Sequence, residues 1–370
     1  MTNTVKTLRF KAGKDLEFFS TLRSRVDAYF TESKISPHAN PGMVLKSIVL
    51  IAGYILPFAF MLAFQPPVLV CIALWLLMGL ALAGIGMSVM HDANHGAYSG
   101  NERTNRNIGY ILNLLGGSSF NWKIQHNLLH HTYTNITGHD EDITGQKSLR
   151  FSPHTAHKKM HKHQWYYAFV LYGVLTLYWG VAKDMVQYIN YKRKGLNKNK
   201  PAQNRLLLFK ITALKLVYFF SFLVLPLLVS SIPYYQILIG FLLMHITAGV
   251  ILSVVFQLAH TIEETEFPVP DDLGAIDHAW AVHQMKTTAD FSRNNKLMSW
   301  YVGGLNFQVE HHLFPKICHV HYPQISPIVE ATAKEYGVPF LDNVTFARAF
   351  KSHVAFLKKM GVPHVDEIMG

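Results

Sequence analysis

The chain has 370 residues, of which 50% are hydrophobic and 15% are charged, and its mean hydropathy is positive, at +0.15. Because a soluble domain usually carries about a quarter of charged residues, this composition favours a membrane protein. A net charge of +11 would indicate nucleic acid binding in a soluble protein. In a membrane protein it is typical of basic cytoplasmic loops, so we expect no nucleic acid partner. The two cysteines exclude a disulfide framework and a cysteine-based metal site.

Four apolar segments are each long enough to cross a membrane, which takes about 20 residues, and they form two helical hairpins. The segments are residues 43–64, 67–90, 205–230 and 236–259. The turns within the two hairpins contain no Lys or Arg. The positive-inside rule therefore predicts that both termini and the long middle segment are cytoplasmic. We predict an all-α integral membrane protein.

The segment 164–182 is apolar as well, but we predict that it lies at the membrane interface. An extra crossing would put the basic run of residues 183–204 on the wrong side, and a sequence rich in Tyr and Trp suits an interfacial helix. Residues 1–370 then form one domain. Its parts are an N-terminal arm at 1–42, hairpins at 43–90 and 205–259, a cytoplasmic or interfacial segment at 91–204, and a cytoplasmic helical cap at 260–370.

Histidines are clustered at three places in the predicted cytoplasmic regions. "HDANH" contains His91 and His95, "HNLLHH" contains His126, His130 and His131, and "QVEHH" contains Gln308, His311 and His312. Residues spaced by three or four share a helix face, so each motif can direct imidazoles to one point. His131 is turned by about 100° from His130 at helical pitch and could reach a different metal.

His91 directly follows the second predicted span, and His260 directly follows the fourth. Because both spans run toward the cytoplasm, the two histidines lie at the same membrane depth. Eight histidines and Gln308 then converge near the cytoplasmic surface. One octahedral metal holds only about six ligands, so we infer two metals. Iron suits this ligand set better than zinc, because it tolerates higher coordination and can activate oxygen.

Neutral imidazoles do not offset the charge of iron, so acidic partners are expected on their outer nitrogens. The candidates are Asp92, Asp140, Asp142 and Glu310.

The isolated histidines are interpreted as surface or hydrogen-bonded residues: His139, His154, His157, His161, His163, His278, His283, His319 and His321. His245, inside the fourth span, is expected to make a packing hydrogen bond or to line a cavity.

The three motifs resemble the histidine boxes of the integral-membrane fatty acid desaturases. "GGLNFQVEHHLFP" resembles the third box of the front-end subgroup, in which glutamine replaces the first histidine of that box. The resemblance covers residues 85–335 and implies a di-iron centre ligated by the eight histidines. It also implies that O2 and two external electrons are used to insert a cis double bond into a fatty acyl chain, at a Δ5- or Δ6-like position. Gln308 could bind iron through its carbonyl oxygen or hydrogen-bond an iron-bound species.

The chain departs from many front-end enzymes in lacking an HPGG haem-domain signature. We therefore expect a separate electron donor, such as a ferredoxin or a small haem protein, and a bacterial inner membrane rather than the endoplasmic reticulum. The small residues of "GLALAGIGMSVM" at 79–90 either make room for the acyl chain or serve close helix packing.

Two other functions fit the same residues. One is a hydroxylase, epoxygenase or alkane monooxygenase on the same scaffold, acting on acyl or sphingoid chains. The other is a non-enzymatic membrane metal-binding protein or transporter. A transporter should place its polar ligands near the bilayer midplane, whereas these motifs lie at one face.

Overall fold

The computed structural model describes residues 8–11, 16–144 and 148–363, and the chain is an all-α integral membrane protein. Its α-helices are α1 Leu16–Ser33, α2 Pro41–Phe64, α3 Val68–Gly84, α4 Met90–His95, α5 Glu102–Gly109, α6 Ile111–Leu114, α7 Ser119–Trp122, α8 His131–Tyr133, α9 Glu141–Thr144, α10 Gln164–Tyr178, α11 Asp184–Arg193, α12 Pro201–Phe219, α13 Leu225–Val229, α14 Tyr234–His260, α15 Trp280–Thr287, α16 Lys296–Tyr301, α17 Gln308–Leu313, α18 Tyr322–Glu335 and α19 Phe346–Met360.

Short irregular elements connect these helices. π-helical turns occur at Ile85–Val89, Lys123–His130, Trp179–Lys183 and Phe220–Val224, and 3-10 turns at Lys159–His163 and His319–His321. Two pairs of two-residue strands are parallel: β1 Arg9–Phe10 with β2 Ala275–Ile276, and β3 Asp290–Phe291 with β4 Asp342–Asn343.

Five helices within the described residues are long and apolar enough to cross a membrane. They are Pro41–Phe64, Val68–His95, Lys159–Arg193, Pro201–Val229 and Tyr234–His260. By length and composition this is one more than the four predicted spans, and the additional helix contains the segment 164–182. Pro41–Phe64 and Tyr234–His260 are single α-helices, whereas in the other three a π-helical turn carries the backbone from one α-helix into the next.

Local backbone preferences close the first hairpin. Pro41 occupies the start of α2, where its missing N–H costs no helical bond, and the Asn40 side chain caps the helix by accepting from the Met43 amide. The helix ends at Gln65, which adopts the left-handed conformation (φ 45°), and α3 begins directly after Pro67. A turn this short fixes α2 against α3.

Small residues let α3 and α14 approach closely. A Cβ on Gly79 would stand 2.7 Å from the Met244 carbonyl oxygen, and one on Gly240 would stand 2.1 Å from the Trp75 ring. The small residue at position 79 therefore serves close helix packing and leaves no room for an acyl chain at that level. The same packing aligns α3 and α14 in parallel, so both end on one side of the bundle. We call it the histidine side, because His95 ends α4 and His260 ends α14 there.

The helix Lys159–Arg193 has both of its ends near the histidine side. At one end Gln164 donates to the Leu357 carbonyl of α19 (3.0 Å). At the other end Gln187 donates to Oε1 of Gln125 (2.7 Å), the residue before His126. The middle of this helix packs on α14, where Thr176 donates to the carbonyl of His245 (2.8 Å). The interfacial position therefore stays a prediction.

Lys215 lies inside the fourth of these helices, where an unpaired charge would be costly. Its Nζ donates to the carbonyls of Trp179 (2.7 Å) and Gly180 (3.0 Å) and pairs with Asp184 Oδ2 (2.7 Å). A π-helical turn leaves carbonyl groups without their usual helical partners. Lys215 satisfies two carbonyls of the turn, those of Trp179 and Gly180, and fixes this helix to α12.

The N-terminal arm is part of the cap. Phe18, Leu22 and Val26 on one face of α1 pack with Ile325 and Val329 of α18 in a buried apolar cluster. The strand β1 adds to β2 in the segment after α14. The arm and the C-terminal region therefore form one layer over the histidine side.

Single cysteines can test the course of the helix Lys159–Arg193. We expect cysteines at Ala156 and Lys198, two exposed positions flanking this helix, to react with a membrane-impermeant thiol reagent from the same face of sealed vesicles. A cysteine at exposed Ser231, in the turn before α14, should react only from the opposite face. The native Cys71 and Cys318 are buried, so background labelling stays low. Labelling of positions 156 and 198 from opposite faces would show that the helix spans.

Candidate metal centre

The structure brings all eight predicted histidines into one buried cluster. They come from α4, the π-helical turn Lys123–His130, α8, the end of α14, and α17, and each is at most 9% exposed. The cluster comprises His91, His95, His126, His130, His131, His260, His311 and His312. Because α8 directly follows this π-helical turn, four separate segments of the chain meet at one place.

The cluster divides into two groups whose candidate ligand atoms lie within 4.8 Å of one another. One group is His91, His95, His126 and His311; the other is His130, His260 and His312. His131 forms a third such set with His311 and His312, and so connects the two groups. This division fits two metal ions side by side, and His131 and its neighbour His130 fall in different sets.

The π-helical turn explains how His126 and His131 meet. The amide of His131 donates to the carbonyl of His126, which is the i→i+5 bond of a π-helix. Residues five apart then lie one above the other, and the two Nε2 atoms approach to 3.3 Å. In a regular α-helix the same residues would diverge, so the π-turn adds His131 to the face that carries His126.

Several imidazole nitrogens of the cluster point at one another. Nε2 of His126 lies 3.2 Å from Nε2 of His91 and 3.3 Å from Nε2 of His131. Burial, reinforced by neighbouring histidines, holds the pKa of His126 and His131 well below the ordinary value. Each neutral ring keeps a lone pair on one nitrogen, and a metal ion between the rings would accept these lone pairs. These residues therefore fit metal ions.

The outer nitrogens of the second group are fixed by hydrogen bonds. Nδ1 of His130 lies 3.1 Å from Asp140, and Nδ1 of His260 lies 3.3 Å from the Thr287 carbonyl. Nδ1 of His312 lies 2.8 Å from Oε1 of Gln284. The Nε2 atoms of these three histidines have no hydrogen-bond partner among the described residues. Donation through Nδ1 places the free lone pair on Nε2, the tautomer that a metal ligand needs.

His311 follows the same pattern through a hydroxyl group. Its Nδ1 lies 3.3 Å from the Tyr322 hydroxyl, and its Nε2 is a further buried atom without a partner within the described part of the chain. Burial and the surrounding histidines lower the pKa of both His311 and His312 well below the ordinary range. Both are therefore neutral rings suited to metal binding.

The four candidate acids lie in different environments. Asp140 faces His130 at 3.1 Å and Asp142 faces it at 3.5 Å. Burial alone would lower the pKa of His130, but these carboxylates raise it, and burial together with Asp140 raises the pKa of Asp142 to about 6. Asp92 faces Nδ1 of His91 at 3.7 Å. Carboxylates therefore lie directly behind His91 and His130.

Glu310 is placed away from the imidazoles although it precedes His311. Its carboxyl lies beside that of Asp290, and burial raises the pKa of both groups. Gln308 stands one turn before His311 on α17, and its Oε1 is buried without a partner among the described residues. Its role as a metal ligand stays a prediction.

The structure adds polar partners that the sequence analysis missed. Gln284 accepts from Thr134 (2.9 Å), faces His312, and donates to the His131 carbonyl (3.2 Å). It lies in "AVHQMKTT", which carries no spacing that would single it out.

His319, interpreted as a surface or hydrogen-bonded residue, contacts Asp92 at 2.7 Å. His245 makes the expected packing bonds, to Tyr218 and Thr176 at 3.0 Å each.

Two glycines explain how the third box reaches the first. Gly303 (φ 66°) and Gly304 (φ 67°) turn the chain in left-handed conformations before α17. A Cβ on Gly303 would lie 2.3 Å from the Met87 carbonyl oxygen, in the π-helical turn that precedes His91. Glycine therefore allows the backbone of the third box to pack directly on the turn that carries the first.

Comparisons with known proteins agree with this site. The profile of the fatty acid desaturase family matches residues 66–343. The chain is 39% identical to the sn-1 linoleoyl-lipid 6-desaturase of Arthrospira platensis, over 98% of this chain and 97% of that protein. It is 40% identical to the protein of the same name from Synechocystis, over 95% and 98%. It is 36% identical to the acyl-lipid (8-3)-desaturase of Physcomitrium patens, over 96% of this chain and 74% of that protein.

Replacing Gly303 by alanine should disrupt the site. The substitution costs roughly 1–2 kcal/mol for the left-handed backbone alone, and the backbone oxygen that its Cβ would meet cannot rotate away. We expect a lower melting temperature and loss of bound iron. Gly337→Ala is the matched control, with φ 64° and no atom within 4 Å of its Cβ. Equal effects of the two substitutions would contradict the packing argument.

Replacing Gln284 by leucine should weaken metal binding. The change removes the acceptor that lies 2.8 Å from Nδ1 of His312, whereas the Thr134 hydroxyl keeps the carbonyl of His130 as its acceptor. Loss of such an outer partner of a ligand typically lowers metal affinity by about 10–100-fold. Iron titration of the purified protein measures this. Gln164→Leu removes a buried amide with bonds to Arg150 and Leu357 and should leave iron affinity unchanged. An unchanged affinity in Gln284→Leu would exclude the supporting role.

Proposed function

The chain belongs to the fatty acid desaturase family, and from that premise we propose that it inserts a cis double bond at the Δ6 position of a linoleoyl chain esterified in a membrane lipid. It is a front-end fatty acyl desaturase, an oxidoreductase. The position and the carrier are supported by two similar cyanobacterial proteins, both named sn-1 linoleoyl-lipid 6-desaturase, which align over nearly their whole length.

The reaction explains why a metal centre is needed. The substrate loses one hydrogen from each of two adjacent carbons, and O2 with two electrons and two protons becomes two molecules of water. No side chain can break an unactivated C–H bond, so the oxidising power must come from a bound group. Two irons, when bound, would supply the reduction of O2 and the removal of both hydrogens.

The protein residues hold and orient that group. We assign His91, His95, His126 and His311 to one iron and His130, His260 and His312 to the other, with His131 between them. The observation that carries this assignment is the convergence of buried Nε2 atoms that have no partner among the described residues. Asp140 and Gln284 hold His130 and His312 in the tautomer that presents Nε2.

The site opens toward the cytoplasm in this proposal. Neither hairpin turn, at residues 65–67 and 230–233, contains Lys or Arg, and the positive-inside rule then places the histidine side in the cytoplasm. The electrons come from a separate carrier, such as a ferredoxin or a small haem protein. The cyanobacterial relatives support a bacterial membrane.

Expression in a host that makes no polyunsaturated lipids, fed with linoleate, tests the activity. We expect mass spectrometry of the lipids to find a linoleoyl chain with an additional double bond at Δ6, enriched at one glycerol position. His311→Ala should abolish the product, whereas His321→Ala should not, because Nε2 of His321 bonds the His38 carbonyl outside the cluster. A hydroxylated product, a double bond elsewhere, or full activity of His311→Ala would contradict the proposal.

A further inference from the structure

A second polar cluster lies behind the first histidine box. Its members are Lys46 of α2, Asp92 of α4, and Cys318 and His319, which stand at the 3-10 turn after α17. All four side chains are at most 4% exposed. Buried charged groups are costly unless they are paired, so the arrangement needs a physical explanation.

Only one oxygen of the Asp92 carboxylate accepts hydrogen bonds. Its Oδ2 accepts from the His319 ring (2.7 Å), from the His319 amide (3.2 Å) and from the Cys318 thiol (3.0 Å). Its Oδ1 faces Nδ1 of His91 at 3.7 Å, an electrostatic contact that is too long for a hydrogen bond. The three donors therefore fix the carboxylate, and the free oxygen is directed at His91.

Lys46 completes the cluster from the other side. Its ammonium group donates to Nε2 of His319 (3.0 Å) and lies 5.4 Å from the centroid of the Trp300 ring. Since lysine can only donate, Nε2 of His319 must accept, and its proton lies on Nδ1, facing Asp92. The positive charge of Lys46 and the negative charge of Asp92 thus stand on opposite sides of one ring.

Three of these residues have the chemistry of a metal site, since Asp92, Cys318 and His319 lie close together. The hydrogen bonds argue against that use. The thiol and the ring N–H both donate to the same carboxylate oxygen, so their lone pairs do not converge on a common point. The cluster is a support for a neighbouring group.

We propose that His319 is a positioning residue, which with Lys46 holds Asp92 behind His91 and thereby sets the orientation of one ligand of one iron. The proposal rests on the assignment of His91 to an iron in the proposed function. At 3.7 Å the carboxylate acts on His91 through its charge. This charge favours the ring orientation that turns Nδ1 toward Asp92 and Nε2 toward the metal, and it makes the ring a better electron donor. The cluster touches His91 alone among the eight histidines in the described contacts, so its effect falls on the iron that His91 binds.

Metal titration of the full-length protein in detergent tests this inference. The protein is stripped with a chelator and titrated with Fe2+ without oxygen, and 57Fe Mössbauer spectra distinguish the two irons. The wild type should bind two equivalents. In His319→Phe one of the two binding events should weaken by about 10–100-fold, while the other keeps its affinity. His319→Gln, whose amide can donate to Asp92 and accept from Lys46, should restore most of the lost affinity.

Controls separate the role of His319 from folding. His321→Phe changes a histidine two residues further along, which bonds the His38 carbonyl, and should leave both iron sites intact. If His319→Phe does not fold, Asp92→Asn and Lys46→Met are expected to weaken the same single event.

Unchanged binding in folded His319→Phe, or equal weakening of both events, would overturn the proposal, as would a third equivalent of iron that is lost in Cys318→Ala. A wild-type protein that binds no iron would instead overturn the proposed function.

Discussion

The structure depends on the burial of eight imidazoles in one cluster. Nε2 of His126 lies 3.2 Å from Nε2 of His91 and 3.3 Å from Nε2 of His131. Burial and the neighbouring rings hold the pKa of His126 and His131 well below the ordinary value, so each neutral ring has a lone pair for a metal ion. Hydrogen bonds to Asp140, Gln284 and Tyr322 hold the rings of His130, His312 and His311 in this arrangement.

The helical bundle serves this constraint by ending at one level. Gly79 and Gly240 let α3 and α14 pack closely in the same direction. The helix Val68–His95 and α14 therefore both end in histidines on one side of the bundle. The remaining ligands come from segments over the histidine side. π-helical turns occur directly before His91 and around His126, where a change of register alters which side chains share a face. Regular helices would not place His131 against His126.

The histidine cluster and the family could be predicted from the sequence, because the ligands occur at short repeated spacings that a helix converts into a shared face. The membership in the fatty acid desaturase family and the class of reaction are confirmed.

Gln284 and His319 could not be predicted as partners of the site, because each is isolated in sequence and contacts the site only through the fold. Glu310 is expected near the imidazoles because it is adjacent to His311 in sequence. Neighbouring helical residues point about 100° apart, so its carboxyl lies beside Asp290 instead. Composition could not decide whether the helix Lys159–Arg193 crosses the membrane or lies at its surface, because an apolar segment of this length suits both positions.

Each histidine group combines residues from early and late parts of the chain. His91, His95 and His126 precede His311 by some two hundred positions, and His130 likewise precedes His312. During synthesis neither histidine group is therefore complete until α17 has been translated, which happens after all the long apolar helices have been made. Until then a nascent chain exposes only partial sets of imidazoles. A complete set of imidazoles for either metal therefore forms late in biogenesis, after membrane insertion and together with closure of the cap.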